Sequence, residues 1–164
     1  MAEATGDRTK VVELVGRAQS AMLTTTGLDG AQVSRPMAVQ ETEFDGDLWF
    51  FVDDRSEKVA QIHADPRVNV SFSNDKQSEW TSIAGTAELV RDRQKAEELW
   101  SKPLETWFPD GLETAGLALL KVHTDSAEYW DASNSMVKQA LGMARAIRKD
   151  DPEEFPVEHR TVDL

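Results

Sequence analysis

Trp80-Thr81-Ser82-Ile83-Ala84-Gly85-Thr86-Ala87-Glu88-Leu89-Val90 is the stretch on which the fold turns. It is long for a strand, and Gly85 in its middle marks a bulge or bend of the kind that lets a sheet close on itself. That reading predicts a barrel. On the N-terminal side, Val68, Val70 and Phe72 alternate with Asn69, Ser71 and Ser73, which predicts a strand with one wet face, followed by a polar loop over residues 74–77. On the C-terminal side, Asp92 is placed to cap a helix through Trp100, and a loop rich in large aromatics follows at Trp107-Phe108-Pro109-Asp110-Gly111. Two further strands are expected over residues 117–123 and 127–131, then a helix over about 133–149 with a broad apolar face, and an edge strand over 160–164.

The N-terminal half adds to the same sheet. Asp7 can cap a first helix with an apolar stripe at Val11, Leu14, Val15 and Ala18. Residues 21–26, a turn at Gly27-Leu28-Asp29-Gly30 and the segment Val33-Ser34-Arg35-Pro36-Met37-Ala38-Val39 read as a β-hairpin, and Asp45-Gly46 makes a second turn. The strand Leu48-Trp49-Phe50-Phe51-Val52 is apolar on both faces. Two readings fit it: a doubly covered core strand, or a strand whose second face meets a partner chain or a flat ligand. About seven strands in mostly antiparallel order, with helices between some of them, predict a mainly β (α+β) barrel in one domain over residues 1–164.

Within that frame one residue is out of place. The period of two sets Arg35 on the same strand face as Val33, Met37 and Val39. A guanidinium among apolar side chains needs an anion, unless it snorkels from an edge strand, which the adjacent Pro36 also permits. The strand over 48–52 then runs through Asp53-Asp54-Arg55 into Ser56-Glu57-Lys58-Val59, a helix start that Asp65-Pro66 closes. Backbone N–H groups, the Ser56 hydroxyl and the Lys58 ammonium meet there, the ingredients of a phosphate site. Lys58 alone also reads as a solvated charge on an outer helix face. If Arg35 and Lys58 grip one phosphate, both observations have a single explanation.

Composition bounds the partners. A net charge of −12 over 164 residues argues against a nucleic-acid or anionic-membrane footprint, so an anion must be caught by a local site. With no cysteine there is no disulfide, thiolate metal site or thiol nucleophile. The N-terminal residues lack the basic and apolar regions of a signal peptide, which leads to the expectation of a cytoplasmic protein. His63, His123 and His159 are scattered, so no metal site is expected. Ser135-Met136-Val137-Lys138 matches S-x-x-K, but the companion elements of penicillin-recognising enzymes are missing, and neither a dinucleotide-binding nor a P-loop glycine pattern is present.

The succession Ser34-Arg35-Pro36-Met37, Leu48-Trp49-Phe50-Phe51, Ser56-Glu57-Lys58-Val59, Val68-Asn69-Val70-Ser71-Phe72, Gly85-Thr86-Ala87-Glu88-Leu89, Trp107-Phe108-Pro109 and Glu128-Tyr129-Trp130-Asp131 covers nearly the whole chain. In that order it resembles the general stress protein 26 branch of the pyridoxamine 5′-phosphate oxidase-like, FMN-binding split-barrel proteins. The resemblance implies a homodimer with FMN at the subunit interface. It implies that Arg35 and Lys58 hold the FMN phosphate with Ser56 beside them, and that Ser34, Pro36 and Met37 lie on the strand under the flavin. It further implies that Phe51, Val52 and Asp53 contact the ring or ribityl chain, and that Trp107 covers the flavin. No counterpart is found of the C-terminal basic segment with which the authentic oxidase grips pyridoxamine phosphate. Two functions follow as alternatives: a flavin oxidoreductase on an unknown small substrate, with no catalytic side chain required, or a non-catalytic flavin carrier or sensor. A deazaflavin could take the place of FMN.

Overall fold

The computed structural model describes residues 2–18, 20–38, 40, 44–132 and 158–164. The chain runs α1 (Ala2–Arg17), β1 (Ser20–Thr26), β2 (Gln32–Met37), β3 (Asp47–Asp53), α2 (Glu57–Ala64), β4 (Arg67–Asn74), β5 (Glu79–Val90) and α3 (Arg93–Leu99). Two 3-10 turns (Lys102–Thr106 and Gly111–Glu113), β6 (Leu117–Asp131) and β7 (Glu158–Asp163) complete it. The described strands form one seven-stranded sheet in the order β2-β1-β4-β5-β6-β3, with β7 beside β6. Every pairing is antiparallel. This is the expected sheet-rich α+β class.

Gly85 does what its position suggests. The β5–β6 register shifts between Ala84 and Gly85, and Asp125 is the extra residue: Ala84 faces Ser126 while Gly85 faces Thr124. A Cβ at Gly85 would stand 2.2 Å from the His123 carbonyl oxygen, so only glycine admits this approach. The bulge also corrects one expectation. Residues 117–123 and 127–131 are not two strands but one, β6, because the polar stretch between them is absorbed as a bulge rather than a break. The Asp125 carbonyl then accepts from the Leu164 amide, which ties the end of β7 to the same irregularity.

Two other expectations shift. α1 begins at Ala2, so Asp7 lies inside the helix rather than at its cap, and its Oδ1 accepts from the Tyr129 hydroxyl at 3.4 Å. Asp92 does cap α3, its side chain accepting from the Lys95 amide, but the helix stops at Leu99. The expected helix over 133–149 lies outside the described residues, as do Val39 and the S-x-x-K match.

The core has two parts. Val11, Leu14, Leu48, Phe50 and Val52 join the inward residues of β1, β4, β5 and β6 in the larger one. Phe51 and Leu119 form the smaller with Ala96, Leu99 and Leu104, against which Trp49, Trp100 and Phe108 pack. β3 is therefore covered on both faces within the chain, by α3 and the aromatic loop on the second. At its C-terminal end Phe50, Phe51 and Val52 also line a cavity, so the strand is packed within the chain and faces a ligand-sized space as well.

Candidate functional site

β2 and β3 occupy opposite ends of the sheet order, yet they wall the same cavity of about 390 Å³. That volume lies within the range of small-ligand sites. Arg35, Pro36, Met37 and Ala38 come from β2 and its exit, and Phe50, Phe51, Val52 and Asp53 from β3. Lys58 enters from α2, and Leu104, Trp107 and Phe108 from the aromatic loop. Eight of the ten residues expected at a cofactor site are thus brought together. Ser34 is not among them: strand alternation turns it to the outer face, where its hydroxyl pairs with Thr24 Oγ1 at 2.7 Å. Ser56 stands at the N-cap of α2 outside the cavity lining, with extended backbone and no capping hydrogen bond.

The cationic end has an unusual electrostatic balance. Arg35 is half-buried and donates from Nη1 to Thr25 Oγ1 (2.6 Å) and from Nη2 to Gln61 Oε1 (2.9 Å). It does not snorkel from the edge strand, although β2 is one. Burial pushes the guanidinium below its ordinary basicity, opposed by the Glu57 carboxylate. Lys58 is lowered by burial first and by the nearby positive charge of Arg35 second, with Asp53 opposing. Among the described residues no carboxylate forms an ion pair with either cation. The Ser56 Oγ at the head of α2 is itself buried with no hydrogen-bond partner. Two partly desolvated cations that repel each other, beside an orphaned hydroxyl and the N–H groups of a first helical turn, have the chemistry to receive a dianion.

The other end is apolar. Phe51, Trp100 and Phe108 pack against one another, Phe51 meeting Trp100 edge-on at 5.3 Å between ring centroids. This cluster anchors the loop that carries Trp107, whose own side chain is 71 % exposed at the cavity. Asp53 is engaged by Arg55, which donates from Nε (3.1 Å) and Nη2 (3.0 Å). Those hydrogen bonds, with one from the Arg55 amide, hold its carboxyl below the usual range. Gly116, in the positive-φ region, lets its backbone pass this corner, since a Cβ would meet Asp54 at 2.8 Å.

Sequence reasoning missed Thr25 and Gln61. A threonine in a strand and a glutamine in a helix are unremarkable by type. The available signal was positional: Gln61 falls between Val59 and Ile62 on the buried side of α2.

Known proteins resemble this chain in sequence and in fold. A family model described as "Pyridoxamine 5'-phosphate oxidase like" matches residues 6–153. Protein bli-3 of Neurospora crassa is 29% identical over 137 residues, covering 78% of this chain, and the match spans 66% of that protein's length. Among solved structures, a protein assigned as general stress protein 26 from Jannaschia sp. CCS1 superposes with a TM-score of 0.74 at 24% identity, covering 97% of this chain and 99% of its own. The general stress FMN/FAD binding protein of Xanthomonas citri gives a TM-score of 0.63 at 27% identity, with 75% and 89% covered.

Proposed function

The chain belongs to the pyridoxamine 5′-phosphate oxidase-like family, and on that premise we propose that it is a cytoplasmic, single-domain split-barrel flavoprotein that binds FMN and acts as an oxidoreductase on a small substrate. One observation carries the cofactor reading: Arg35 and Lys58 both line the cavity, and among the described residues neither forms an ion pair with a carboxylate. The residues fit a monophosphate ester joined to a flat ring. Arg35, Lys58 and the head of α2 with Ser56 hold the phosphate. Phe51, Met37 and the Trp107 loop exclude water from the apolar part, and Asp53, fixed by Arg55, stands beside Lys58 as the acceptor for a polyol chain. FMN, when bound, supplies the redox chemistry at its isoalloxazine ring, and the protein supplies position and electrostatics.

The working unit proposed is a homodimer. Support comes from part of the outer face of the sheet, where Met22, Thr24, Ser34, Asn69, Ser71 and Ser82 form an uncharged patch bounded by Arg67 and Glu128, in a chain that is 29% charged. The hydroxyls and amide there pair among themselves, Ser20 with Ser73 at 2.9 Å and Asn69 with Ser82 at 2.8 Å. A face of that composition suits contact with a second copy better than water.

The test is the absorption spectrum of the purified protein supplemented with FMN, then anaerobic addition of NADH or NADPH. Stoichiometric FMN that bleaches supports the oxidoreductase. FMN held but reduced by dithionite alone moves the reading to a flavin carrier or sensor, and a protein that takes up no FMN overturns it.

A further inference from the structure

Thr25 and Gln61 are each 1 % exposed, and an oxygen of each accepts from Arg35. The orientation of the amide is dictated by its neighbours. A guanidinium only donates, so the group facing Arg35 Nη2 is the Gln61 carbonyl oxygen. That oxygen also receives the Thr25 hydroxyl at 2.6 Å, which leaves the hydroxyl oxygen to accept from Arg35 Nη1. On its other side Gln61 Nε2 donates to Glu57 Oε1 at 3.0 Å, one helical turn earlier. Arg35 is thus gripped at both terminal nitrogens by groups that carry no formal charge.

We infer that Gln61 is a positioning residue that aims Arg35 into the cavity while leaving its positive charge undiminished for the phosphate, an inference that rests on the FMN-phosphate reading above. A carboxylate at position 61 would grip the guanidinium as firmly, in a charge-assisted pair, but would cancel the charge the ligand needs. The neutral amide separates orientation from neutralisation. Glu57 is kept behind the amide, one helical turn earlier, where it contacts Gln61 and forms no ion pair with the guanidinium. Gln61 therefore acts on binding through Arg35 and on phosphate-bearing ligands alone.

The experiment compares FMN with riboflavin, which lacks the phosphate, by flavin fluorescence on the full chain. Gln61→Glu keeps size and shape and should weaken FMN about tenfold or more while leaving riboflavin within about twofold. Glu57→Gln, at an exposed position, removes the charge behind the amide and should tighten FMN about threefold relative to riboflavin. It is informative even if the buried Gln61→Glu change prevents folding. Equal loss of both flavins in a folded Gln61→Glu protein would mean that Gln61 is only a satisfied core amide. FMN affinity unchanged in Gln61→Glu, or in Glu57→Gln, would likewise overturn the inference. If the wild type itself binds FMN no better than riboflavin, the phosphate reading fails first, and that outcome is distinct from the others.

Discussion

Glu79 and Asp131 stand opposite each other across β5 and β6, both almost fully buried, and each is neutralised from the same helix. Arg17 Nη2 lies 2.9 Å from Glu79 Oε1, and Lys10 Nζ lies 2.5 Å from Asp131 Oδ2. Two carboxylates placed side by side in a sheet interior would repel. Two cations spaced along α1 turn that liability into the means by which the helix docks.

Removing either cation should therefore cost more than an ordinary surface ion pair. Arg17→Ala and Lys10→Met each remove the cation that faces a buried carboxylate, and about 2–4 kcal/mol of stability should be lost, near the level for broken buried pairs. Urea denaturation gives the value. A loss below about 0.5 kcal/mol in both would show that α1 is held by its apolar stripe alone.

Arg35→Ala should weaken FMN by about ten- to a hundred-fold, because a charge-assisted hydrogen bond to a phosphate contributes roughly 1.5–3 kcal/mol. Riboflavin affinity should change little. Fluorescence titration of both flavins checks it, and an FMN affinity equal to wild type would remove Arg35 from the phosphate site.

Gly85→Ala tests the bulge. The new methyl would press on the His123 carbonyl, a backbone atom that cannot swing aside, so a destabilisation of about 2 kcal/mol or more is expected in thermal melts. A melt within a degree of wild type would show that β5 and β6 can part without penalty.

Asp65 supplies a pH test. Its carboxyl is lowered to about 2 by the side chain of Arg67, which donates from Nε (2.9 Å) and Nη2 (2.7 Å), and then by the Arg67 amide. A folded-state value below the unfolded one means the stabilisation is fully present above the unfolded carboxylate range near 4 and fades as pH falls toward 2. Asp65→Asn should thus lower the denaturation midpoint at pH 7, with the difference from wild type shrinking between pH 4 and pH 2. A difference that grows in acid would reverse the assigned sign.

Sedimentation should give a mass near twice the 18.3 kDa chain. Ser71→Arg, which sets a cation in the middle of the uncharged patch of the outer face, should shift the protein toward monomer. A wild-type monomer at micromolar concentration that still binds FMN stoichiometrically would contradict the dimer.

Much of the fold and of the cationic end of the site is legible in the sequence. Alternation over Val68–Phe72, the glycine-flanked turn at 27–30 and the long run with Gly85 each report local backbone geometry, which sequence encodes directly. Arg35 and Lys58 stood out because a charge that breaks an apolar pattern is conspicuous. The continuity of β6 was hidden, since Thr124-Asp125-Ser126 reads as a turn unless the strand facing it is known to hold a glycine. Thr25 and Gln61 were hidden for a related reason: their partner comes from another element, and no local pattern announces it. The two-faced apolar β3 left open a core strand or a face for a partner or ligand, because the elements that pack on it, α3 and the aromatic loop, lie far along the sequence.

One consequence follows from the cavity having β2 for one wall and β3 for the other. These strands are not paired in the sheet, so at that seam the backbone ladder contributes nothing to holding the fold together. A ligand that touches both walls becomes a strut across the gap. At a hundredfold excess over its Kd a ligand adds about 2.7 kcal/mol to the folded state by mass action, and here that increment falls where cross-strand bonds are missing. Loss of the ligand would then register first as faster amide exchange in β2, the end strand with a single neighbour, while the interior strands β4 and β5 stay protected.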